Sequence, residues 1–297
     1  MADAPRPIAL IGELQMNILS LQSWVCYGHV GNAAALFPLQ RLGAEVWAIN
    51  TVQLSNHPGY GSCTGDVFSG AQIAALIDGI AARGVLGSCD AVLSGYLGTT
   101  ETALAVRGAV ARVKAANPAA LYCCDPVIGD EGPGVYVRPG IDALFRDSLL
   151  PLADIATPNR FELSHLTGLA TTTRAEVKTA IAAMQAMGPR MVLVTSLVTE
   201  ETPPDCIDMA LGHDGEFWLA RTPRLDMSPN GAGDLLSALF LFHITIGLRP
   251  DAAFARAANS LQGILRHTLK AQQRELQIVA AQQELITPSV MIVTENF

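Results

Sequence analysis

Residues 90–130, DAVLSGYLGTTETALAVRGAVARVKAANPAALYCCDPVIGD, hold two short apolar runs separated by one long helical run. DAVLSGYLG reads as a strand and closes on Gly98. ETALAVRGAVARVKAANP has the length and composition of a helix, and Asn117-Pro118 stops it. Proline has no amide hydrogen and disfavours the helical conformation in the residue before it. ALYCCDPVIG then resumes as a strand. Two strands joined by one helix do not form a hairpin; they lie parallel, with the helix crossing a face of their sheet.

The alternation continues on both sides. Upstream, NILSLQ and EVWAINTVQLS read as strands, and GNAAALFPLQRLG between them as a helix ended by Gly43. GAQIAALIDGIAARG has apolar residues three and four apart and ends at Gly84. Downstream come DIATPN, the helix TTRAEVKTAIAAMQAMGP and the strand RMVLVTSLV. CIDMALGHDGEFWLARTP is a more antiparallel patch turning at residues 213–215, and the chain from Leu235 onward reads as helical. The expectation is an α/β fold with a mostly parallel sheet and helices on both faces, binding ligands at the carboxyl ends of its strands. No internal repeat or linker divides the sequence. We expect a single domain over residues 16–297, preceded by a weakly ordered extension over residues 1–15 that carries Pro5 and Pro7.

Composition narrows the functional classes. The hydrophobic fraction of 50% against only 15% charged residues fits strands buried on both faces. A net charge of −8 excludes nucleic acid as the main partner, because phosphate backbones need clustered Lys and Arg; a local phosphate site is compatible with it. Cys123 and Cys124 are adjacent and the other four cysteines scattered, with no C-x-x-C or H-E-x-x-H pattern, so neither a disulfide framework nor a thiolate metal site is expected. Free thiols fit a reducing compartment. The most apolar helix, from Leu235, is interrupted by Ser237, His243 and Thr245, short of the roughly 18 apolar residues of a membrane span. The N-terminal residues lack the basic and apolar regions of a secretory signal. We therefore expect a cytoplasmic protein that meets no membrane.

SPNGAGDLLSALF, residues 228–240, carries the most chemical information. Gly231 and Gly233 remove side chains ahead of an apolar helix, so the amides of Gly231, Ala232, Gly233 and Asp234 can converge on an anion at its positive end. Asp234 could cap that helix. An acid beside an anion site is nevertheless repelled by the anion, and the work that would justify it is to take a proton from a nucleophile attacking that anion. A cap would need no glycines ahead of it. There is no G-x-x-x-x-G-K-[ST] loop, and GYGSCTG, residues 59–65, has the wrong spacing for a dinucleotide loop.

Other polar residues fall where the strands of a parallel sheet share one rim. Ser23 ends the first strand-like run, Asn56-His57 the second and Tyr96 the third; Asp125 follows the fourth, Asn159 the fifth, and Thr195-Ser196 the sixth. Singly, a His or Tyr at a strand end is ordinary packing, and an Asp beside Pro or Gly is ordinary turn chemistry. Their common rim is what raises them. The GDEGPGVY loop with Tyr136 looks like a flap, since its glycines and proline permit movement without repacking a core.

LSLQSWVCYGHVGN, NTVQLSNHPGYG, DAVLSGYLG, CDPVIGDEGPGVYV, LADIATPNRFEL and PNGAGD occur in the order seen in the pyridoxal kinases of the ribokinase superfamily, which the chain resembles from about Met16 to its C-terminal region. The first, second and fourth segments are specific to the vitamin B6 branch; the glycine turn with its Asp is general to the superfamily. The resemblance implies a ribokinase-like three-layer α/β/α fold and transfer of the ATP γ-phosphoryl group to the 5′-hydroxymethyl group of pyridoxal. It makes Asp234 the catalytic base and Gly231, Ala232 and Gly233 the anion hole. Ser23, His57, Pro58, Gly59 and Tyr96 would line the pyridoxal pocket, and Tyr136, Thr195 and Ser196 would contact the nucleotide. Asp125, Asp130, Thr157 and Glu162 would hold Mg²⁺ and a monovalent cation, K⁺, against the triphosphate, mostly through waters. A homodimer is implied as well.

Two positions depart from the family pattern. Pro58 stands where Thr is usual, and Ala232 where the family has the Thr of GTGD. The anion hole, being backbone, survives both. Cys124 beside Asp125 reads as inert buried filler. Two other activities fit parts of the pattern: a kinase for hydroxymethylpyrimidine, against which SNHPGYG and GHVGN speak, and a non-catalytic pyridoxal carrier or sensor, which would have no need of a base.

Overall fold

The protein was analysed as a computed structural model, which describes residues 16–297 apart from residue 228. The expected extension over residues 1–15 lies outside the described residues. Chain order begins with β1 (Met16–Tyr27), α1 (Asn32–Arg41), β2 (Ala44–Asn56), β3 (Gly65–Val67), α2 (Gly70–Ala81), β4 (Ala91–Ser94), α3 (Thr100–Ala116) and β5 (Leu121–Cys124). A small hairpin, β6 (Gly129–Asp130) and β7 (Gly134–Val135), and the short α4 (Ile141–Leu144) follow. Next come β8 (Ile155–Ala156), α5 (Arg160–Thr167), α6 (Arg174–Gln185), β9 (Met191–Leu197), β10 (Cys206–His213) and β11 (Glu216–Pro223). The last elements are α7 (Ala232–Thr245), α8 (Pro250–Lys270), α9 (Gln283–Ile286) and β12 (Thr294–Asn296).

Ten strands form one sheet in the order β12-β11-β10-β9-β8-β5-β4-β1-β2-β3. The six strands from β9 to β2 in that order run parallel, as the βαβ reading of residues 90–130 requires. Antiparallel strands flank them: β3 on one side, β10, β11 and β12 on the other. The chain winds one way from β1 to β2 and the other way from β1 through β4, so the order reverses at the β1–β4 boundary. Such a reversal opens a crevice above the carboxyl ends of the strands.

Alternate residues of the central parallel strands feed two separate cores. Leu19 and Leu21 of β1 pack with α2, α3, α5 and α6 through residues such as Ile77, Val110, Leu163 and Ile181. Ile18 packs on the other face with α1, α7 and α8 through Leu39, Leu239 and Ile264. Every side chain of α7 from Leu235 to His243 is buried, because α1, α8 and the strands β4 and β5 enclose it. A helix apolar all round is a core helix, and each of its buried Leu and Phe side chains contributes about 1.5–3 kcal/mol. α7 is thereby fixed, and with it the amides at its start.

Several boundaries differ from the sequence reading. β1 continues to Tyr27 past a register shift between Gln22 and Trp24. Residues 160–167, read only as part of a motif, form α5 with its own cap. The C-terminal part is not all helical, since β12 pairs with β11. β3, β6, β7 and β12 have two or three residues each, too few to show any period.

Candidate active site

The first turn of α7 is set by Gly231. It caps the helix at φ 86°, and a Cβ there would collide with the carbonyl oxygen of His29. The first intrahelical bond runs from the Leu235 amide to the Gly231 carbonyl, so the amides of Ala232, Gly233 and Asp234 lie ahead of it. A Cβ on Gly233 would meet nothing within 4 Å, which leaves that turn open to the cleft in front of it. Asp234 does not cap the helix: it sits in the first turn, and Gly231 holds the capping position. The capping explanation for this acid therefore fails.

The buried Asp125 and the half-buried Asp234 meet at this turn, with the buried Glu162 beyond Asp125. Asp125 directly follows β5, with its amide donating to Ser94 O at 2.9 Å. Ser237, one helical turn beyond Gly233, places its hydroxyl 3.1 Å from Asp125 Oδ2 and 2.8 Å from Thr157 Oγ1. Burial holds the Asp125 carboxyl well above its ordinary value, and the charges of Asp234 and Glu162 add to the effect. Burial likewise raises Asp234, with the Gly31 amide pulling the other way. Asp234 is a carboxyl that holds its proton more tightly than usual, which suits a base. Ser237 was invisible in the sequence, where it reads as one polar interruption of an apolar helix.

Glu162 has a different task from the one its type alone implies. Its Oε2 accepts the Asn159 amide at 2.9 Å, completing a capping box at the start of α5, while Oε1 accepts the Ile128 amide at 2.9 Å. Asn159 in turn donates through Nδ2 to Gly129 O at 2.8 Å. Together the pair pins the hairpin β6–β7 to α5. Burial pushes the Glu162 carboxyl up to about 8, against the pull of these amides. Asp130, at the tip side of the same hairpin, is exposed and accepts the Glu131 amide at 2.7 Å, as the turn reading allows. Tyr136 follows the hairpin and is half exposed over the cleft.

At the other end of the cleft, Ser23 lies within β1 and not at its end. The register shift between Gln22 and Trp24 sits on this residue, and such irregularities re-aim side chains near sites. Gly31 packs against Ser23 so closely that a Cβ would strike its carbonyl and hydroxyl oxygens. His57 caps a short helical turn, Pro58–Tyr60, with Nδ1 accepting the Gly59 amide at 3.1 Å. Tyr96 stands just past β4, and its carbonyl accepts the Thr51 hydroxyl at 2.6 Å. Thr195 and Ser196 lie inside β9, not after it, and Ser196 adopts φ 51°. A non-glycine residue in that region is a local strain of the kind that gathers at binding sites.

Of the residues singled out along the rim, all but Asn56, which is turned to the His57 and Ser62 carbonyls, line one cleft of about 1300 Å³. That is more than one small ligand requires, and room for a nucleotide beside a second molecule. The sequence did not single out the apolar wall near Ser196, formed by Val198, Ile207, Met209, Leu261 and Leu265. Among the described residues no cluster of three His, Cys, Asp or Glu side chains forms a metal-ligand cage. Chemically, the cleft offers a half-buried carboxylate, a helix start whose free amides can receive an anion, and a hairpin held by α5 beside both.

A family model described as phosphomethylpyrimidine kinase matches residues 64–279. Pyridoxal kinase PdxY of Granulibacter bethesdensis is 58% identical over 278 residues, covering 92% of this chain and 97% of the relative. The protein of the same name from Rubrobacter xylanophilus is 49% identical, covering 93% of this chain and 95% of the relative. Among solved structures, the pyridoxal kinase from Leishmania donovani in complex with ADP and pyridoxamine superposes with a TM-score of 0.89 at 29% identity, covering 95% of this chain and 100% of that one.

Proposed function

The chain belongs to the pyridoxal kinases, within the phosphomethylpyrimidine kinase family, and from that premise we propose how its cleft works. The protein is a kinase that uses ATP to phosphorylate pyridoxal. The observation that carries the assignment of roles is the position of Asp234: a half-buried acid that lines the cleft within the first turn of α7, where the amides of Ala232, Gly233 and Asp234 are free of the helix ladder. In the proposed step the Asp234 carboxylate accepts the proton of the 5′-hydroxymethyl group while that oxygen bonds to the γ-phosphorus. The bond from the γ-phosphorus to the bridging oxygen breaks, and ADP leaves with the electron pair. The α7 amides stabilise the charge on the transferring group. Ser23, His57, Pro58, Gly59 and Tyr96 hold pyridoxal; Tyr136, Thr195 and Ser196 hold ATP, with its adenine against the apolar wall.

Asp125 and Thr157 are the residues that would hold Mg²⁺, with Asp130 and Glu162, whose oxygens already accept backbone amides, reaching it through water. Burial and mutual repulsion raise the Asp125 carboxyl, so a cation between the acids relieves a real electrostatic cost. Mg²⁺ keeps several waters and needs only one or two carboxylates, which fits acids split between two strand ends. Bound there, it would neutralise charge on the triphosphate. The K⁺ requirement rests on the family resemblance, as does the homodimer. Among the described residues no helix is long and apolar enough to cross a membrane, and the free thiols support a cytoplasmic setting.

The competing substrate is hydroxymethylpyrimidine, which would use the same base and anion hole. kcat/KM for pyridoxal should exceed that for the pyrimidine alcohol by at least about a hundredfold, since the wrong ring leaves buried polar groups unpaired. A higher value for the pyrimidine would overturn the assignment. Binding of pyridoxal without any ADP release would favour a carrier.

A further inference from the structure

The residues following α8 return to the pyridoxal end of the cleft, more than 200 positions away in sequence from what they touch. Glu275 is buried, and its two carboxylate oxygens serve two different loops. Oε1 accepts the Tyr60 hydroxyl at 2.7 Å, and Oε2 accepts the His29 amide at 3.1 Å. The neighbouring Arg274 donates to the Gly59 carbonyl at 2.6 Å, and its guanidinium lies 3.7 Å from the centre of the Tyr60 ring. One loop, residues 28–31, touches Gly231 through the His29 carbonyl and Ser23 through Gly31. The other carries His57, Pro58 and Gly59.

We propose that Arg274 and Glu275 form a clasp that positions these two loops against each other and so sets the affinity for the alcohol substrate. The bonds are charge-assisted; those of the buried Glu275 are partly withdrawn from water, which makes them stronger than surface pairs, while the Arg274 bond to Gly59 lies at the exposed edge. Neither side chain is among the residues lining the cleft, so both are positioning residues. The clasp reaches the pyridoxal end and leaves the apolar wall and the β6–β7 hairpin untouched. Its loss therefore separates the two substrates. This inference rests on the kinase reading of the site, which ADP release by the wild-type protein with pyridoxal tests on its own.

The experiment compares wild type, Tyr60→Phe, Glu275→Gln and the double variant by steady-state kinetics, with melting temperature measured on each. Tyr60→Phe removes one hydroxyl at a half-exposed ring and keeps the fold even if Glu275→Gln does not. Each single variant should raise KM for pyridoxal about three- to tenfold, the loss expected of one hydrogen bond, while KM for ATP stays within twofold. The double variant should fall short of the product of the two single effects, because Tyr60→Phe deletes and Glu275→Gln weakens the same charge-assisted contact. A merely structural staple would lower the melting temperature and leave both KM values in place. That result, or equal changes in KM for ATP and pyridoxal, would overturn the proposal.

Discussion

Glu162, Asp125 and Asp234 show how little residue type says about a side chain's work. All three are acids near glycine turns, yet Asp234 faces the open first turn of α7, Asp125 leans on Ser237, and Glu162 is occupied by backbone amides. Glu162 gives a pH prediction. Its folded carboxyl titrates at about 8, against 4.5 when unfolded, so the folded chain binds this proton more tightly. The corresponding stability is complete below about 4.5 and lost as pH rises through about 8, with a slope of at most ~1.4 kcal/mol per pH unit. In the absence of metal, wild type should lose stability to urea between pH 5 and pH 9 more steeply than Glu162→Gln, which has no such proton; equal slopes would show that this group is not the titrating one. Pro58 gives a second prediction. Lacking both a hydroxyl and an amide hydrogen, it offers pyridoxal at least one bond fewer than Thr. Pro58→Thr should lower KM for pyridoxal about two- to tenfold with KM for ATP unchanged. An unchanged or higher value would mean that proline is suited to this pocket. The acids and the glycines were legible because they sit beside turns. Ser237 and Glu275 were not, because their partners lie far away in sequence and only folding brings them together.

The hairpin β6–β7 and helix α5 act as one unit, joined by Asn159 and Glu162. Asn159→Ala removes the cap bond to the Glu162 amide, worth about 1 kcal/mol, and leaves the Gly129 carbonyl without its donor. The hairpin should loosen over the nucleotide side. We expect KM for ATP to rise about three- to tenfold while KM for pyridoxal stays within twofold; a rise confined to pyridoxal would place the hairpin over the wrong substrate. The sequence announced this loop as a flap through its glycines and proline, but not its two-strand pairing or the separate helix behind it. Long amphipathic runs such as residues 174–185 declare themselves through many repeats of one period. Elements of two to eight residues do not, and β12 is held by its pairing with β11, not by any pattern of its own.

The parallel sheet and its helical layers could be read from the sequence because each strand is a short apolar run bounded by glycine or proline, with a helix between it and the next. That arrangement alone puts Ser23, Tyr96, Asp125, Thr157 and Ser196 along one rim, although the strands carrying them span most of the chain. The apolar wall of the same cleft could not be read, since Ile207, Met209 and Leu261 look identical in sequence whether they meet a core or a ligand. What the whole assembly accomplishes is to hold one half-buried carboxylate at a helix start, with room for two substrates in front of them. Replacing Asp234 with Asn keeps the shape and removes the proton acceptor. Pyridoxal-dependent ADP release by purified Asp234→Asn should fall by at least about a hundredfold in kcat, with both KM values within threefold of wild type. A variant that retains more than about a tenth of wild-type kcat would show that Asp234 is not the base.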